Sequence, residues 1–317
     1  MAIQCNVAIA TYLDHLRIER GLSANSVSSY SRDLNKYQSL LSEKGLSFDG
    51  VTESDISTFI GELSIQGLSP SSINRFLSTL KGFYKYCALE YQVANPMVDI
   101  NQFKLARKLP KALSVEQALS LVNQAVKEAE EKKDLESIRD AAIIDLLYSS
   151  GLRLSELLGI DVMQSKDRQQ ESAGWLDWDA AEVTVLGKGG KRRSVPVGVP
   201  AMKSLAAWRE MRDAGDFSEK SIALFLSATG KRLSPRTVQA RLRTLAMRAG
   251  LPTHVHPHMM RHSFASHVLQ SSQDLRAVQE MLGHASIAST QIYTSLDFQH
   301  LAQAYDKAHP RAKAGKG

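Results

Sequence analysis

Six side chains between residues 153 and 293 are of the types that suit phosphoryl transfer to a protein nucleophile. They are Arg153, Lys188, His258, Arg261, His284 and Tyr293. Arginine matches the non-bridging oxygens of a phosphate and neutralises the charge that builds up at phosphorus. Histidine and lysine can move protons, and the tyrosine oxygen can attack. These residue types therefore predict an enzyme that binds a phosphate group covalently.

The last four of these residues follow one another near the C-terminus. Pro257 predicts a helix start, and His258 and Arg261 then share one helix face because they are three residues apart. His284, in LGHAS, follows Arg261 after 23 residues, and Tyr293, in STQIYTSLDF, comes nine residues later. An isolated HxxR pair usually lies on the surface of a helix, and an isolated tyrosine is usually a half-buried residue that packs against its neighbours. Their order and spacing together indicate a site.

The other two residues belong to different local structures. Arg153 follows the glycine turn that opens GLRLSEL and leads into a helix. The strand patterns EVTVL at 182–186 and RRSVPV at 192–197 flank the turn GKGGK, whose glycines fit a hairpin loop. Lys188 is therefore predicted in this hairpin turn, with Lys191 as the alternative in the same turn.

The first hundred residues carry apolar side chains at the spacing of amphipathic helices. Four helices are predicted there, one around residues 8–20 and three that begin at the capping residues Ser23, Thr52 and Ser69. Their aromatic side chains fit a hydrophobic core better than a ligand site. The Asn-Pro pair at 95–96 ends this part. We therefore expect a helical N-terminal domain.

The remaining sequence is of mixed type. Helices are predicted after Ser114, over 138–150, after Arg153, Pro200, Pro235 and Pro257, and in short pieces after Asp274. With the two strands of the hairpin, this predicts a fold that is mainly α with a small antiparallel β-sheet. The basic, extended run LARKLPKALS links the two parts. The expected domains are residues 1–108 and 109–317.

The composition excludes several classes of protein. A length of 317 residues suits two domains, and shares of 43% hydrophobic and 23% charged residues exclude disordered, collagen-like and coiled-coil chains. No apolar run approaches the roughly 18 residues that span a bilayer, and the N-terminus lacks the pattern of a signal peptide. Two cysteines make a disulfide framework or a cysteine-based zinc site implausible. We expect a cytoplasmic protein without membrane insertion.

The net charge of +6 is unevenly distributed. Residues 111–180 contain 8 Lys and Arg against 14 Asp and Glu, whereas residues 181–261 contain 15 against 5. A basic stretch can be a solvated face or a surface for phosphates, and charge alone does not decide between them. The candidates for contacts with nucleic acid are Lys191, Arg192, Arg236, Arg241 and Arg243.

The motifs resemble the signature of the tyrosine recombinase (phage integrase) family. That signature is an arginine in a G-L-R-x-S-E-L turn, a lysine in a β-hairpin, H-x-x-R, a G-H dipeptide and a nucleophilic tyrosine. GLRLSEL, VLGKGGKRR, HPHMMRHSFASH, LGHAS and QIYTSLDF match it in order. The resemblance covers nearly the whole chain, includes RGLSANSVSSYSRDL, and is strongest to the Xer subgroup. It implies a SAM-like, DNA-binding N-terminal domain and an α+β catalytic domain.

The resemblance also implies a mechanism that uses no metal and no cofactor. Tyr293 would attack a DNA phosphate and form a 3′-phosphotyrosyl link. Arg153, with Glu156 as its usual companion, and Arg261 would clamp the phosphate, while Lys188 would protonate the departing 5′-oxygen. The remaining roles would be acid–base assistance by His258 and a hydrogen bond to the transition state from His284.

The partners implied by the resemblance are duplex DNA at a dif-like site and a XerD-type recombinase, two copies of each protein forming a ring of four. The C-terminal segment LDFQHLAQAYDKAHPRAK would dock into a neighbouring protomer. An FtsK-type translocase would control the resolution of chromosome dimers. One stretch departs from the family pattern, since residues 162–181 are longer than expected. We expect them to form a surface loop.

Three other functions remain open at this point. A metal-dependent hydrolase could use His254, His256, His258 and His262, although no glutamate completes an HExxH pattern. A DNA-binding regulator without catalysis could retain the fold, although the tyrosine and both arginines are intact. A phage or transposon integrase, or a XerD-like subunit, would share the chemistry.

Overall fold

The computed structural model describes residues 3–103, 112–165, 171–187, 190–215, 221–251, 255–272 and 275–282. By its internal contacts the chain divides into two compact units, Met1–Lys108 and Leu109–Gly317. Within the described ranges, no helix combines the length and the apolar character needed to cross a bilayer.

The N-terminal unit is helical, and its helices begin where the capping residues predict. It contains α1 (Cys5–Ile18), α2 (Ala24–Lys44), a 3-10 turn (Phe48–Gly50), α3 (Glu53–Ile65) and α4 (Pro70–Tyr91). The side chains of Ser23, Thr52 and Ser69 each accept a hydrogen bond from the backbone N–H three residues later. These bonds satisfy donors that a helix start otherwise leaves unpaired. The three predicted caps are confirmed.

Aromatic side chains fill the core of this unit. Tyr37 and Tyr84 are buried and share a hydrogen bond between their hydroxyl groups, and Tyr84 donates to the carbonyl of Phe48 at 2.7 Å. The buried carboxylate of Asp33 on α2 accepts two hydrogen bonds from Arg75 on α4, at 2.8 and 3.0 Å. The aromatic side chains and this ion pair both stabilise the packing of the helices. The prediction that the aromatic residues belong to a hydrophobic core is confirmed.

The C-terminal unit is built around one buried helix. Its helices are α5 (Val115–Lys132), α6 (Leu135–Ser150), α7 (Leu154–Leu158), α8 (Val199–Ala214), α9 (Pro235–Arg248), α10 (Pro257–Ser272) and α11 (Leu275–Leu282). Helix α6 contacts α5, α8, α9 and α10, and most of its residues are buried on every side. It begins at Leu135, three residues before the predicted start, because the side chain of the cap Asp134 accepts from the N–H of Ser137 at 2.7 Å.

A four-stranded sheet lies in the same unit, in the order β1 (Ile160–Asp161), β2 (Gly174–Asp177), β3 (Glu182–Leu186) and β4 (Arg192–Pro196). The β3–β4 pair is the predicted antiparallel hairpin, with Leu186 opposite Arg192. β2 also runs antiparallel to β3, but the short β1 is parallel to β2, so the sheet is mixed rather than purely antiparallel.

Part of the predicted surface loop 162–181 is a strand. β2 pairs with β3 along four residues and buries Leu176 in the core. The pairing requires glycine at 174, because a Cβ there would lie 2.6 Å from the carbonyl oxygen of Thr184. The expectation of a loop was therefore wrong for residues 174–177, where the sheet gains a third antiparallel member.

Candidate active site

A glycine turn carries Arg153 into the site. Gly151 ends α6 in the left-handed conformation, with φ of +57°. A Cβ at this position would lie 2.3 Å from Cδ1 of Phe264 on α10. The turn therefore favours glycine for two reasons, the left-handed backbone conformation and the close contact with Phe264. Two residues later Arg153 is the N-cap of α7, and its side chain is 30% exposed.

The carboxylate of Glu156 joins three arginines. Its oxygens accept from the backbone N–H and Nη1 of Arg153, at 2.8 and 2.7 Å. They also accept from Nη1 and Nη2 of Arg193, at 2.8 and 2.9 Å, while Nη1 of Arg261 lies 3.8 Å away. Burial opposes ionisation of Glu156, but the hydrogen bonds and charges of Arg193 and Arg153 outweigh it and hold the pKa of this carboxyl below its usual value.

Arg261 is anchored by backbone carbonyls rather than by the carboxylate. Its Nη1 donates to the carbonyl of Gly151 at 2.7 Å, and its Nη2 donates to the carbonyl of Leu282 at the end of α11. Burial, together with the positive charge of Arg153, lowers the pKa of Arg261 to about 10. The guanidinium therefore stays charged at neutral pH.

The cluster of Arg153, Arg193, Arg261 and Glu156 carries three positive charges and one negative charge. Arg193 and Arg261 are almost completely buried, with side-chain exposures of 5% and 7%, whereas Arg153 reaches solvent. Uncompensated guanidinium charge at a partly closed surface attracts anions strongly, because it is poorly screened by water. The arrangement is suited to binding a phosphate group and stabilising charge at phosphorus.

The histidines at the start of α10 are exposed. His256 caps the helix, because its Nδ1 accepts from the N–H of Met259 at 3.2 Å. His258 is on the same helix as Arg261, three residues earlier, and is free to meet a ligand from solvent. Burial, His258 and Arg261 lower the pKa of His262. The described part of the chain contains no group of three or more His, Cys, Asp or Glu able to hold a metal ion, and His254 lies outside it.

Three predicted catalytic residues, Lys188, His284 and Tyr293, lie outside the described residues. The structure does describe the strand and the helix that precede them in the sequence. β3 ends at Leu186, and α11 ends at Leu282, where the arginine cluster binds its last carbonyls. Of the six predicted residues, Arg153 and Arg261 are brought together at Glu156, and His258 lies one helical turn before Arg261.

Two family models together match most of the chain. The model described as "Phage integrase family" matches residues 111–300, and that described as "Phage integrase, N-terminal SAM-like domain" matches residues 9–90. The chain belongs to the phage integrase family.

Curated relatives extend this assignment over nearly the whole chain. The tyrosine recombinase XerC of Ralstonia pickettii is 51% identical over 315 residues, which cover 96% of this chain and 94% of that protein. XerC of Pseudomonas aeruginosa is 46% identical over 304 residues, or 95% and 94% of the two chains. The chain is a tyrosine recombinase of the XerC type, an enzyme class that cleaves and rejoins DNA through a phosphotyrosine intermediate. The predicted family and chemistry are confirmed.

Solved structures of phage integrase family members share the fold. The XerH site-specific recombinase bound to palindromic difH substrate has a TM-score of 0.63 at 22% identity, covering 94% of this chain and 84% of that chain. A fragment of lambda integrase bound to DNA has a TM-score of 0.64 at 17% identity, covering 91% and 95%. The predicted fold class, a helical SAM-like domain and an α+β recombinase domain, is confirmed.

The predicted DNA-contact residues of this phage integrase family member have different surroundings. Lys191, Arg236 and Arg243 are exposed. The guanidinium of Arg192 forms an ion pair with Glu171 and lies 5.1 Å from the ring centroid of Trp175.

Arg241 faces its own domain rather than solvent. It forms ion pairs with Asp140 and, at 3.2 Å, with Glu136, both on α6. Its side chain therefore connects α9 to α6, and that contact occupies the guanidinium that sequence reasoning assigned to DNA.

Sequence reasoning missed Arg193. This residue is 5% exposed and makes a two-point ion pair with Glu156. A signal was present in RRSVPV, because Arg193 has the same strand parity as Val195 and Val197, which are buried. An arginine on the buried face of a strand requires a carboxylate partner. Glu156, in the motif GLRLSEL, was a candidate for that partner.

Proposed function

We propose that the chain is a site-specific recombinase that resolves chromosome dimers, and also plasmid dimers, at a dif-like site during chromosome segregation and cell division. Identities of 46–51% to XerC proteins over nearly the whole length support this function. The observation that carries it is the cluster of Arg153, Arg193 and Arg261 around Glu156, which provides a cationic site on the domain that bears the candidate nucleophile.

In the proposed reaction the hydroxyl oxygen of Tyr293 attacks a DNA phosphorus atom, and the hydroxyl proton passes to His258. The bond from phosphorus to the 5′-oxygen breaks, and that oxygen takes a proton from Lys188. Arg153 and Arg261 offset the charge on the non-bridging oxygens, while His258 assists proton transfer and His284 donates a hydrogen bond to the transition state. The phosphotyrosyl bond retains the energy of the phosphodiester, so the 5′-hydroxyl of a partner strand can reverse the step and rejoin DNA. The reaction needs no cofactor.

The proposed DNA surface of the catalytic domain lies mainly on residues 181–261. Its exposed described cations include Lys191, Arg236 and Arg243. Arg236 is in the first turn of α9, where the helix dipole adds to the attraction for phosphate. Residues 1–108 would act as the second DNA-binding domain, and residues 109–317 as the catalytic domain.

The proposed partner is a XerD-type recombinase in a ring of four, with an FtsK-type translocase acting indirectly. The enzyme would act in the cytoplasm, where chromosomal DNA is found. A protein that recombines DNA without the XerD-type partner would instead be an integrase that acts alone.

The decisive experiment is covalent cleavage of a dif-type duplex, with and without a XerD-type partner. The wild-type chain should form a protein–DNA adduct that survives denaturant and an excess of chelator. Tyr293→Phe should bind the same duplex and form no adduct, while Tyr91→Phe, far from the site in sequence and in the other unit, should behave as wild type. An adduct with Tyr293→Phe, or none with wild type, would refute the proposal, and loss of cleavage in chelator would favour the metal-dependent alternative.

A further inference from the structure

Within the described ranges Arg193 donates three hydrogen bonds, all of them to buried groups of its own unit. Its Nη1 and Nη2 donate to the two oxygens of Glu156 at 2.8 and 2.9 Å, and its Nε donates to the carbonyl of Met281 at 2.8 Å. Parallel bonds from a guanidinium to a carboxylate fix both groups in distance and in plane, which a lysine cannot do. The side chain thus joins β4, α7 and α11.

We propose that Arg193 is a positioning residue for DNA cleavage, which holds Glu156 in place for Arg153 and fixes the end of α11 from which the chain continues to His284 and Tyr293. The inference rests on the proposed roles of Arg153 and Tyr293. Arg193 itself is too deeply buried to reach DNA, since only 5% of its side chain is exposed. It acts through the groups that it binds.

The first part of this role concerns Glu156. The carboxylate is faced by Arg153 from its own helix, by Arg193 from β4 and by Arg261 from α10. Among the described residues the carboxylate accepts four hydrogen bonds, two from the guanidinium of Arg193 and two from the backbone and guanidinium of Arg153. Without the two from Arg193, the hydrogen bonds that the carboxylate accepts from described residues would come from Arg153 alone, the most exposed of the three arginines. Arg153 would then lose the rigid support that sets its direction.

The second part concerns the end of α11. The last carbonyls of a helix have no partners within the helix, and they attract cations because the helix dipole is negative there. Arg193 binds the carbonyl of Met281, and Arg261 binds that of Leu282, the next residue. Two arginines of the phosphate site therefore also hold the point two residues before His284. The position of Glu156 and that of the end of α11 are therefore coupled through Arg193.

The test compares Arg193→Gln and Arg193→Lys with the matched control Arg209→Gln. Arg209 lies on α8, with its guanidinium 4.7 Å from the ring centroid of Trp178, and has no part in the cluster. Single-turnover adduct formation and affinity should be measured on one dif-type duplex that contains a nick, so that cleavage cannot be reversed. We expect Arg193→Gln to cleave about 100-fold more slowly, as for a displacement of about 1 Å, with affinity within about threefold of wild type. Arg193→Lys should be intermediate, and Arg209→Gln should match wild type.

The pH profile separates positioning from general damage to the fold. Arg193 favours the ionised form of Glu156, so its loss allows burial to raise the pKa of that carboxyl. The acid limb of the cleavage rate should then move to higher pH in Arg193→Gln and not in Arg209→Gln. If Arg193→Gln does not fold, Arg193→Met combined with Glu156→Gln removes both charges of this ion pair. This pair should restore folding and still cleave slowly.

Two results would overturn the inference. One is cleavage by a folded Arg193 variant within threefold of wild type. The other is an equal loss of cleavage and affinity with an unchanged pH profile. Wild-type cleavage is the internal reference. If the wild-type chain forms no adduct, the proposed function fails, whereas normal cleavage by both wild type and Arg193→Gln refutes only the role of Arg193.

Discussion

Arg261 donates a hydrogen bond to the carbonyl oxygen of Gly151 at 2.7 Å, across 110 positions of sequence. One helical turn later on α10, Phe264 packs against the Cα of the same glycine. Because Arg153 follows this turn directly, the two arginines of the proposed phosphate clamp are set by one short piece of backbone. The relationship makes Gly151 a position where the packing of the unit and the geometry of the proposed phosphate clamp depend on the same residue.

We therefore predict that Gly151→Ala strongly destabilises the catalytic unit. The methyl group would meet the ring of Phe264 at 2.3 Å, and alanine disfavours a φ of +57°. A strained φ costs about 1 kcal/mol and an overpacked core about 1–3 kcal/mol, so the expected loss in the free energy of unfolding is about 2–4 kcal/mol. Urea denaturation followed by tryptophan fluorescence measures it, because all three tryptophans are in the C-terminal unit.

Gly250→Ala is the matched control for this prediction. Gly250 also has a positive φ, of +68°, but nothing lies within 4 Å of a Cβ built there. It should lose only the conformational cost of about 1 kcal/mol. Equal losses for the two variants would mean that the contact with Phe264 contributes nothing.

The sequence predicted what depends on neighbouring residues. The caps at Ser23, Thr52 and Ser69 and the β3–β4 hairpin were found because their signals lie within a few positions of each other. The family and its chemistry were found because an ordered set of motifs is far more specific than any of them alone.

The arrangement of the site could not be read in the same way. Glu156 faces three arginines because β4, α7 and α10 contact one another. No local sequence pattern encodes those contacts. Strand parity could have placed Arg193 on the buried face, but it would not have identified its partner. The strand at 174–177 was missed because its pairing depends on a glycine that only the neighbouring strand makes necessary.

Arg241 should contribute to folding more than to DNA binding. Its ion pairs with Asp140 and Glu136 join α9 to α6, and Asp140 is buried. Arg241→Gln leaves Asp140 with Arg139 as its described charged partner, at 3.0 Å. We expect a loss of about 1–3 kcal/mol in the free energy of unfolding, as for a buried polar group that loses one partner. Arg236→Gln, an exposed arginine on the same helix, should change it by less than about 0.5 kcal/mol.

The exposed arginines of α9 should show the opposite behaviour. Arg236→Glu and Arg243→Glu should each weaken binding to a dif-type duplex, and each should make the slope of log affinity against log salt shallower by about 1 for every phosphate that the variant no longer binds. Lys127→Glu makes the same charge change on α5, in the acidic part of the chain, and should leave the slope unchanged. Identical salt slopes for all three variants and wild type would place the DNA surface elsewhere.

His267 should make the stability of the catalytic unit depend on pH. Its Nε2 lies 3.0 Å from the carbonyl of Leu113 and must donate to it, so Nδ1 accepts from the hydroxyl of Tyr148, also at 3.0 Å. Burial lowers the pKa of this imidazole more than its bond to Leu113 and the charge of Glu116 raise it. Protonation of Nδ1 would remove the acceptor, so the folded protein favours the neutral ring.

The direction of the pH effect follows from this depressed pKa. At a pH above the unfolded value of about 6.5 both states are neutral and stability is unaffected. As the pH falls through that value towards the lower pKa of the folded state, the unfolded chain takes up the proton first and stability decreases. Urea denaturation at pH 7.5 and 5.5 should show a loss from this residue, with an upper limit of about 1.4 kcal/mol set by the unfolded pKa. His267→Gln should lower stability at pH 7.5 and remove that part of the pH dependence. An unchanged pH dependence in His267→Gln would show that other groups cause it.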